Sequence, residues 1–491
     1  MALQELLQTL KTVKRLPIPT PSFPRQTPNF GIGSSIVKSL IASDARTLFS
    51  DKEAAASLLS GLDPITFQSV IANRSLKSNK ALAFFNSVLQ DRSFDFKPHL
   101  ESYVTLICRL MNERRFDDAE ELVKSALVGK GSDSKYEFGE IVAAVKNCFA
   151  GDSLNQKLVS KLFNVMFKVY SDHRMFDLCV KVFDEMESSK LEIDERTCTV
   201  HLIALKWADQ ADGALEFLHR MVRAGVEVSV YSLTVVVDGL CRDGEVARSV
   251  ELLEEMARNG VEPNVVTFNT LIFTCCKRWM FNELEGILSM MRNKGVELNA
   301  TSYKMLVDGY SSCGRIDEAE RMIEEMHNRG LNVGAYLYTP VMSACCRLRG
   351  KDAGLALLRK MTERGASPNA DAYATLLDVL CKEGDMERVK EAMSEMGERG
   401  IEMDEGMFGS LIVAYCEHGL VDDGAKLFSA MKSRGLSGAY SIYETLVRAL
   451  CDCDRDEDAK RLVTSVIKLG MARDSLSLSG LGDRVGFCRG S

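Results

Sequence analysis

The sequence predicts an all-α solenoid, a superhelix of stacked helix–turn–helix repeats, on the strength of three periodic series. Methionines recur every 35 residues at Met186, Met221, Met256, Met291, Met326, Met361, Met396 and Met431. Glycines keep the same step at Gly225, Gly260, Gly295, Gly330, Gly365, Gly400, Gly435 and Gly470. An aromatic series, Phe163, Phe268, Tyr303, Tyr338, Tyr373, Phe408 and Tyr443, is spaced in multiples of 35. A fixed period of this length marks a repeat array whose single units cannot bury their own apolar faces.

Within each unit the pattern reads as two helices. In 265–299 the first is expected from about Val266 to Lys277 and the second from about Phe281 to Asn293. Gly295 then ends the second helix, because glycine takes the left-handed cap at low steric cost. Pro263 and Pro368 sit in the linkers, whose last position holds Asn264, Asn299, Asn369 or Asp404. The methionines are adaptable filler between stacked helices.

Taken from the N-terminus, residues 6–43 contain no Asp or Glu but do contain Lys11, Lys14, Arg15, Arg25 and Lys38. Leu3, Leu6, Leu7, Leu10 and Val13 make one helical stripe ahead of a Pro-rich stretch. This acid-poor, basic start predicts a disordered organelle transit peptide over 1–45, mitochondrial by its amphipathic opening, with the chloroplast as alternative. The N-terminal region 46–134 holds degenerate units at 62–99 (Ala81, Leu82, Phe84, Phe85) and 100–134 (Tyr103, Ala119, Ala126). An out-of-register insert, 135–159, carries one helix expected over 136–149. Nine contiguous units then fill 160–474: 160–194, 195–229, 230–264, 265–299, 300–334, 335–369, 370–404, 405–439 and 440–474. A Ser/Gly-rich tail, 475–491, closes the chain.

Bulk composition removes several functions. No run approaches the roughly 18 to 20 apolar residues of a membrane span. The 15 cysteines include a 35-spaced series, Cys241, Cys276, Cys346, Cys381, Cys416 and Cys451. Equivalent residues of neighbouring units are separated by two helices packed roughly 8–10 Å apart, and a disulfide needs Cα atoms within about 7 Å. The series therefore reads as small buried thiols. His99-Leu-Glu101 has the first half of a zinc deaminase motif, but no C-x-x-C accompanies it. No phosphate-binding glycine loop occurs either. No catalytic residue, metal or cofactor is expected, and the protein reads as a non-enzyme.

The stretch Val265-Val-Thr-Phe-Asn-Thr-Leu-Ile272, followed by Met291-Arg-Asn-Lys-Gly-Val-Glu-Leu-Asn299, closely resembles the pentatricopeptide repeat family. Val230 to Asn264 matches as well. Tetratricopeptide repeats have a period of about 34 residues and would drift out of step with these methionines. The uniform unit length is similar to the pure (P) class. The resemblance implies a right-handed superhelix and sequence-selective binding of single-stranded organellar RNA, one base per repeat. Transcript stability, processing, splicing or translation are the roles it implies.

In that family the fifth and last residues of a unit meet the base. Carried over, Asn164 with Asp194 implies uracil, Thr199 with Ser229 adenine, and Thr234 with Asn264 adenine. Asn269 with Asn299 implies a pyrimidine, and Thr339 with Asn369 adenine. The pairs Val104/Ser134, Lys304/Gly334, Ala374/Asp404, Gly409/Ala439 and Glu444/Asp474 depart from the pattern. The expected element is 5′-UAAYNA-3′.

Two properties of the residues leave alternatives open. Asn264, Asn299 and Asn369 would serve equally as N-caps of the helices they precede. The balance of 61 basic against 69 acidic residues, net −8, is unlike the basic footprint of nucleic-acid binders. Arg242, Lys277, Arg347 and Lys382, at the ends of first helices, would supply local phosphate contacts, and local sign matters more than the total. The competing reading is a protein-interaction scaffold, such as an organellar ribosome-associated subunit, with protein partners on 370–474.

Overall fold

The structure, a computed structural model, describes residues 30–42, 62–90, 98–128, 136–149 and 156–468. These residues form 24 helices and no strand. The chain divides into two compact units, Met1–Ser232 and Leu233–Ser491.

The first unit opens with α1 (Phe30–Ala42), α2 (Pro64–Ala72) and α3 (Ser78–Gln90). Asp63 caps α2, its Oδ1 accepting from the amides of Ile65 and Thr66 at 2.8 Å each, and Pro64 takes a first-turn place that needs no N–H donor. Helix α1 overturns part of the expected disordered leader over 1–45. Ile36, Val37 and Leu40 are buried, and α1 packs on α2. Lys80 Nζ donates to the C-terminal carbonyls of Leu40 and Ile41 at 2.9 and 3.0 Å. The physical reason is an apolar stripe that finds a partner, with a cation on the negative end of the helix dipole. Residues 1–29, where the rest of the expected leader falls, lie outside the described residues, as does the tail 475–491.

The hairpin α4 (Leu100–Asn112) and α5 (Phe116–Leu127) is followed by α6 (Phe138–Phe149), which starts two residues later than the sequence suggested and packs on α4. Next come α7 (Gln156–Asp172), α8 (Phe176–Ser188), α9 (Glu195–Trp207) and α10 (Ala211–Arg223). Helix α7 starts four residues ahead of its repeat, because 156–160 contains no glycine or proline to stop it. His201 of α9 is buried among rings, with centroids 4.6 Å from Phe217 and 5.0 Å from Phe167. Its Nδ1 lies 3.1 Å from Ser171 Oγ. Burial, with Arg220 nearby, pushes its pKa down to about 4.

The division falls within α11 (Val230–Asp243). Beyond it, α12 (Val246–Arg258), α13 (Val265–Arg278), α14 (Phe281–Asn293), α15 (Ala300–Ser312) and α16 (Ile316–Asn328) follow. The hairpins continue with α17 (Ala335–Arg349), α18 (Lys351–Glu363), α19 (Ala370–Lys382), α20 (Met386–Glu398), α21 (Glu405–Glu417), α22 (Val421–Ser433), α23 (Tyr440–Asp452) and α24 (Asp456–Lys468). Gly295 shows how second helices stop. With φ +70°, it lets Val296 N–H reach back to Met291 O at 3.0 Å. The periodic methionines are almost wholly buried. Cys241, Cys276, Cys346, Cys381 and Cys416 are free and buried, and burial raises their thiol pKa, to about 12 for Cys276 and about 11 for Cys416. Within this unit each first helix packs on the next: α13 on α15, α15 on α17, α17 on α19, α19 on α21 and α21 on α23. Second helices approach each other less closely, so the first helices form the tighter layer.

Candidate nucleic-acid interface

The fifth residue of a repeat lies in the first helix, and the last residue stands just before the next first helix. Packing of successive first helices therefore sets them side by side. Asn164 Nδ2 donates to Ser160 O (2.8 Å) and Glu192 O (3.0 Å), and its Oδ1 accepts from the amide of Asp194 at 3.0 Å. Asn269 Nδ2 donates to Asn299 Oδ1 at 3.4 Å. Thr339 Oγ1 lies 3.4 Å from Asn369 Oδ1. Thr234 and Asn264 meet through Thr267, whose Oγ1 is 2.8 Å from Thr234 Oγ1 and 3.3 Å from Asn264 Oδ1. Thr199 and Ser229 meet around Glu195, described below.

Capping accompanies these contacts. Asn264 Oδ1 accepts from the amides of Val266 and Thr267 at 2.9 and 3.1 Å, and Asn299 Oδ1 from Ser302 N at 2.9 Å. Asn369 Oδ1 accepts from Ala372 N at 3.1 Å. Capping uses the carbonyl oxygen of these amides and leaves their NH2 groups as donors. Asp194 is different: its carboxylate accepts from Thr197 Oγ1 at 3.1 Å and caps no backbone amide.

Sequence reasoning missed the residue behind each pair, the third of the following repeat. Ser302, fully buried, donates to Asn269 Oδ1 at 2.6 Å and Asn299 Oδ1 at 3.0 Å. Thr267 and Ser232, also fully buried, tie the two preceding pairs in the same way. The signal was a further 35-spaced series of hydroxyls, Thr197, Ser232, Thr267 and Ser302. A second missed series is exposed: Tyr231, Val266 and Tyr336, at 63, 58 and 47% of full exposure, occupy the second position of their repeats.

Where the pair departs from the family pattern, the surface changes. Gly409 and Ala439 carry no polar side chain, and a cleft of about 490 Å³ opens beside them, lined also by Ile442, Val413, Glu405 and Glu417. Arg242, Lys277, Arg347 and Lys382 are exposed in the last turns of α11, α13, α17 and α19. Lys382 closes on Asp378 at 2.6 Å, and Lys277 Nζ sits 5.9 Å over the Phe273 ring. A partner four residues earlier on the same helix face explains both. Among the described residues, no group of three or more His, Cys, Asp or Glu side chains is placed to hold a metal ion. None of the described helices is long and apolar enough to cross a membrane.

Hairpins of one length, stacked first helix on first helix, define a helical-repeat protein of two-helix units. Three family models match it: the pentacotripeptide-repeat region of PRORP over 230–405, pentatricopeptide repeat-containing protein over 162–283, and PPR repeat over 406–436. The chain belongs to the pentatricopeptide repeat family. A pentatricopeptide repeat-containing protein of Arabidopsis thaliana is 32% identical over 162 residues, 33% of this chain and 25% of that protein. A second from the same plant, named as chloroplastic, is 25% identical over 208 residues, 40% of this chain and 24% of its own. The chain thus spans about a quarter of these curated relatives. Among solved structures, the pentatricopeptide repeat protein PPR10 in complex with an 18-nt psaJ RNA element is 20% identical, covering 92% of this chain and 65% of that one, with a TM-score of 0.44. The PPR domain of Arabidopsis thaliana protein-only RNase P 1 in complex with tRNA is 16% identical, covering 36% and 94%, with a TM-score of 0.32.

Proposed function

We propose that the protein binds single-stranded RNA along its first-helix layer, one base per repeat, and acts in organellar transcript stability, processing, splicing or translation. The observation that carries this reading is the polar pairing of fifth and last residues, tied from behind by a buried hydroxyl in 195–229, 230–264 and 265–299. Amide and hydroxyl groups fixed in this way can meet the donors and acceptors of an unpaired base edge. The exposed Tyr231, Val266 and Tyr336 give flat or branched apolar surfaces against which bases stack. The element is 5′-UAAYNA-3′ by the family pattern, the unit length is that of the P class, and the protein acts as a binder without chemistry of its own. The mitochondrion is the proposed compartment, the chloroplast the alternative, with any leader confined to residues ahead of α1.

A second reading has one observation in its favour. The cleft beside Gly409, Ala439 and Ile442 offers a base no polar partner from the pair, and suits a protein side chain better. Crosslinking in organelles, with sequencing of bound RNA, tests both. Binding of single-stranded RNA that weakens as salt rises supports the first reading. No binding even at low salt overturns it in favour of the protein scaffold.

A further inference from the structure

Around α9 the first unit holds a carboxylate where the family pattern expects only hydroxyls. Glu195 Oε1 accepts from Ser229 Oγ at 2.6 Å and Thr199 Oγ1 at 3.0 Å. Ser232 Oγ donates to the same oxygen, and Thr199 Oγ1 lies 2.6 Å from Ser232 Oγ. Both members of the Thr199/Ser229 pair are therefore turned towards Glu195. All three hydroxyls meet the same oxygen, Oε1, and the side chain is partly exposed. Burial raises the carboxyl pKa, but the hydroxyl bonds from Ser229, Ser232 and Thr199 outweigh it and leave the net shift downward. The group is ionised at neutral pH. Glu405 is the one other carboxylate at the first position of the nine repeats. Its repeat has Gly409 and Ala439 in place of the hydroxyl pair, so the arrangement at Glu195 is particular to 195–229.

We infer that Glu195 is a specificity-determining residue of repeat 195–229 and that this repeat selects guanine, in place of the adenine expected from Thr199 and Ser229. The inference rests on the RNA-binding reading above. An ionised carboxylate only accepts hydrogen bonds. With their protons directed at Glu195, Thr199 and Ser229 have none left for a base, so the locus offers no donor from the pair. Guanine sets N1–H and the 2-amino group side by side on its Watson–Crick edge. Adenine, cytosine and uracil each set an acceptor beside their donor, and that acceptor would face the carboxylate with no proton between them. Leaving a polar atom so opposed and desolvated is the costly outcome.

The test uses the full chain and four RNA hexamers, 5′-UNAYNA-3′ with the second base set to A, G, C or U and the others held constant. Fluorescence anisotropy should show the guanine hexamer bound roughly tenfold more tightly than the adenine one. Glu195→Gln keeps the size but adds a donor, and should bring guanine and adenine to within about twofold, the scale at which a mismatch cost of this kind has vanished. Circular dichroism checks that the variant is folded. Should it not fold, the wild-type series decides alone. Adenine preferred by the wild type, or a Glu195→Gln chain that keeps the full guanine preference, overturns the inference while leaving RNA binding intact. Failure of all four hexamers to bind removes the RNA-binding reading, and this inference with it.

Discussion

At the third position of a repeat, behind the fifth and last residues of the one before, repeats 195–229 to 300–334 carry a hydroxyl and later ones an apolar group. Thr197, Ser232, Thr267 and Ser302 belong to the first set, and Leu337, Ala372, Met407 and Ile442 to the second. All eight are buried. In repeat 265–299 the result is a hydrogen-bonded triangle of Asn269, Asn299 and Ser302. In 405–439 it is Ile442 packed so closely beneath Gly409 that a Cβ there would come within 2.9 Å of its Cδ1. The contrast teaches that the fifth and last residues of a repeat are held in place by what lies behind them. Thr339 and Asn369, over Ala372, are the intermediate case: a polar pair in contact but without the tie.

Breaking the apolar version should cost most. Ile442→Ala removes a buried side chain that helps close the α21–α23 contact, and should lower stability by about 3 kcal/mol in thermal or urea unfolding. RNA affinity should hardly move if 405–439 reads no base.

His201 sharpens the comparison from the other direction, because it is a polar residue at a register position filled elsewhere by Leu271, Leu306 or Leu376. Its folded pKa of about 4 lies below the unfolded value, so the unfolded chain binds the extra proton. Stability is then full above pH about 6.5 and declines as pH falls towards 4, by on the order of 3 kcal/mol in total. His201→Phe should flatten that slope in unfolding curves taken across the window. An unchanged slope would remove His201 as its source.

On the polar side, Ser302→Ala leaves Asn269 Oδ1 buried without its short donor and should destabilise by about 2 kcal/mol. It should also blur the pyrimidine preference at the fourth base, measured with hexamers differing there. Loss of stability with selectivity intact would make Ser302 a packing residue only. Smallest in energy is Thr234→Asn, which leaves the Asn264 cap in place and gives repeat 230–264 the amide pair of 265–299. The third base should shift from adenine towards a pyrimidine by roughly tenfold in relative affinity. A preference that stays put would show that Thr234 does not read a base.

Much of this was legible because the period repeats the same physical problem. Gly295 had to be a left-handed stop and Met291 a filler, and both are. Asn264, Asn299 and Asn369 were expected either as caps or as base readers; their caps are present, formed by the oxygen of the amide, while the NH2 of Asn369 also meets Asp371 at 3.3 Å. The ion pair of Lys382 with Asp378 was not legible, since a cation four residues after a carboxylate can pair or face solvent, and the helix surface decides which.

The sequence by itself determined the repeat, its two helices, its stops and its buried thiols, except Cys451, which was expected with them and is only half-buried. Each of these follows from interactions within a few residues or from an apolar stripe, and such terms are the same in every repeat. Only the tertiary structure decided that α1 docks on α2, that Ser302 holds Asn269, and that Glu195 gathers the hydroxyls of Thr199, Ser229 and Ser232. Apart from Thr199 and Glu195, which share α9, these contacts join different elements, and the hydrogen bonds among them span more than 30 positions. Their existence depends on the distance and angle at which one first helix packs on the next, a quantity set jointly by both helices and absent from either one alone.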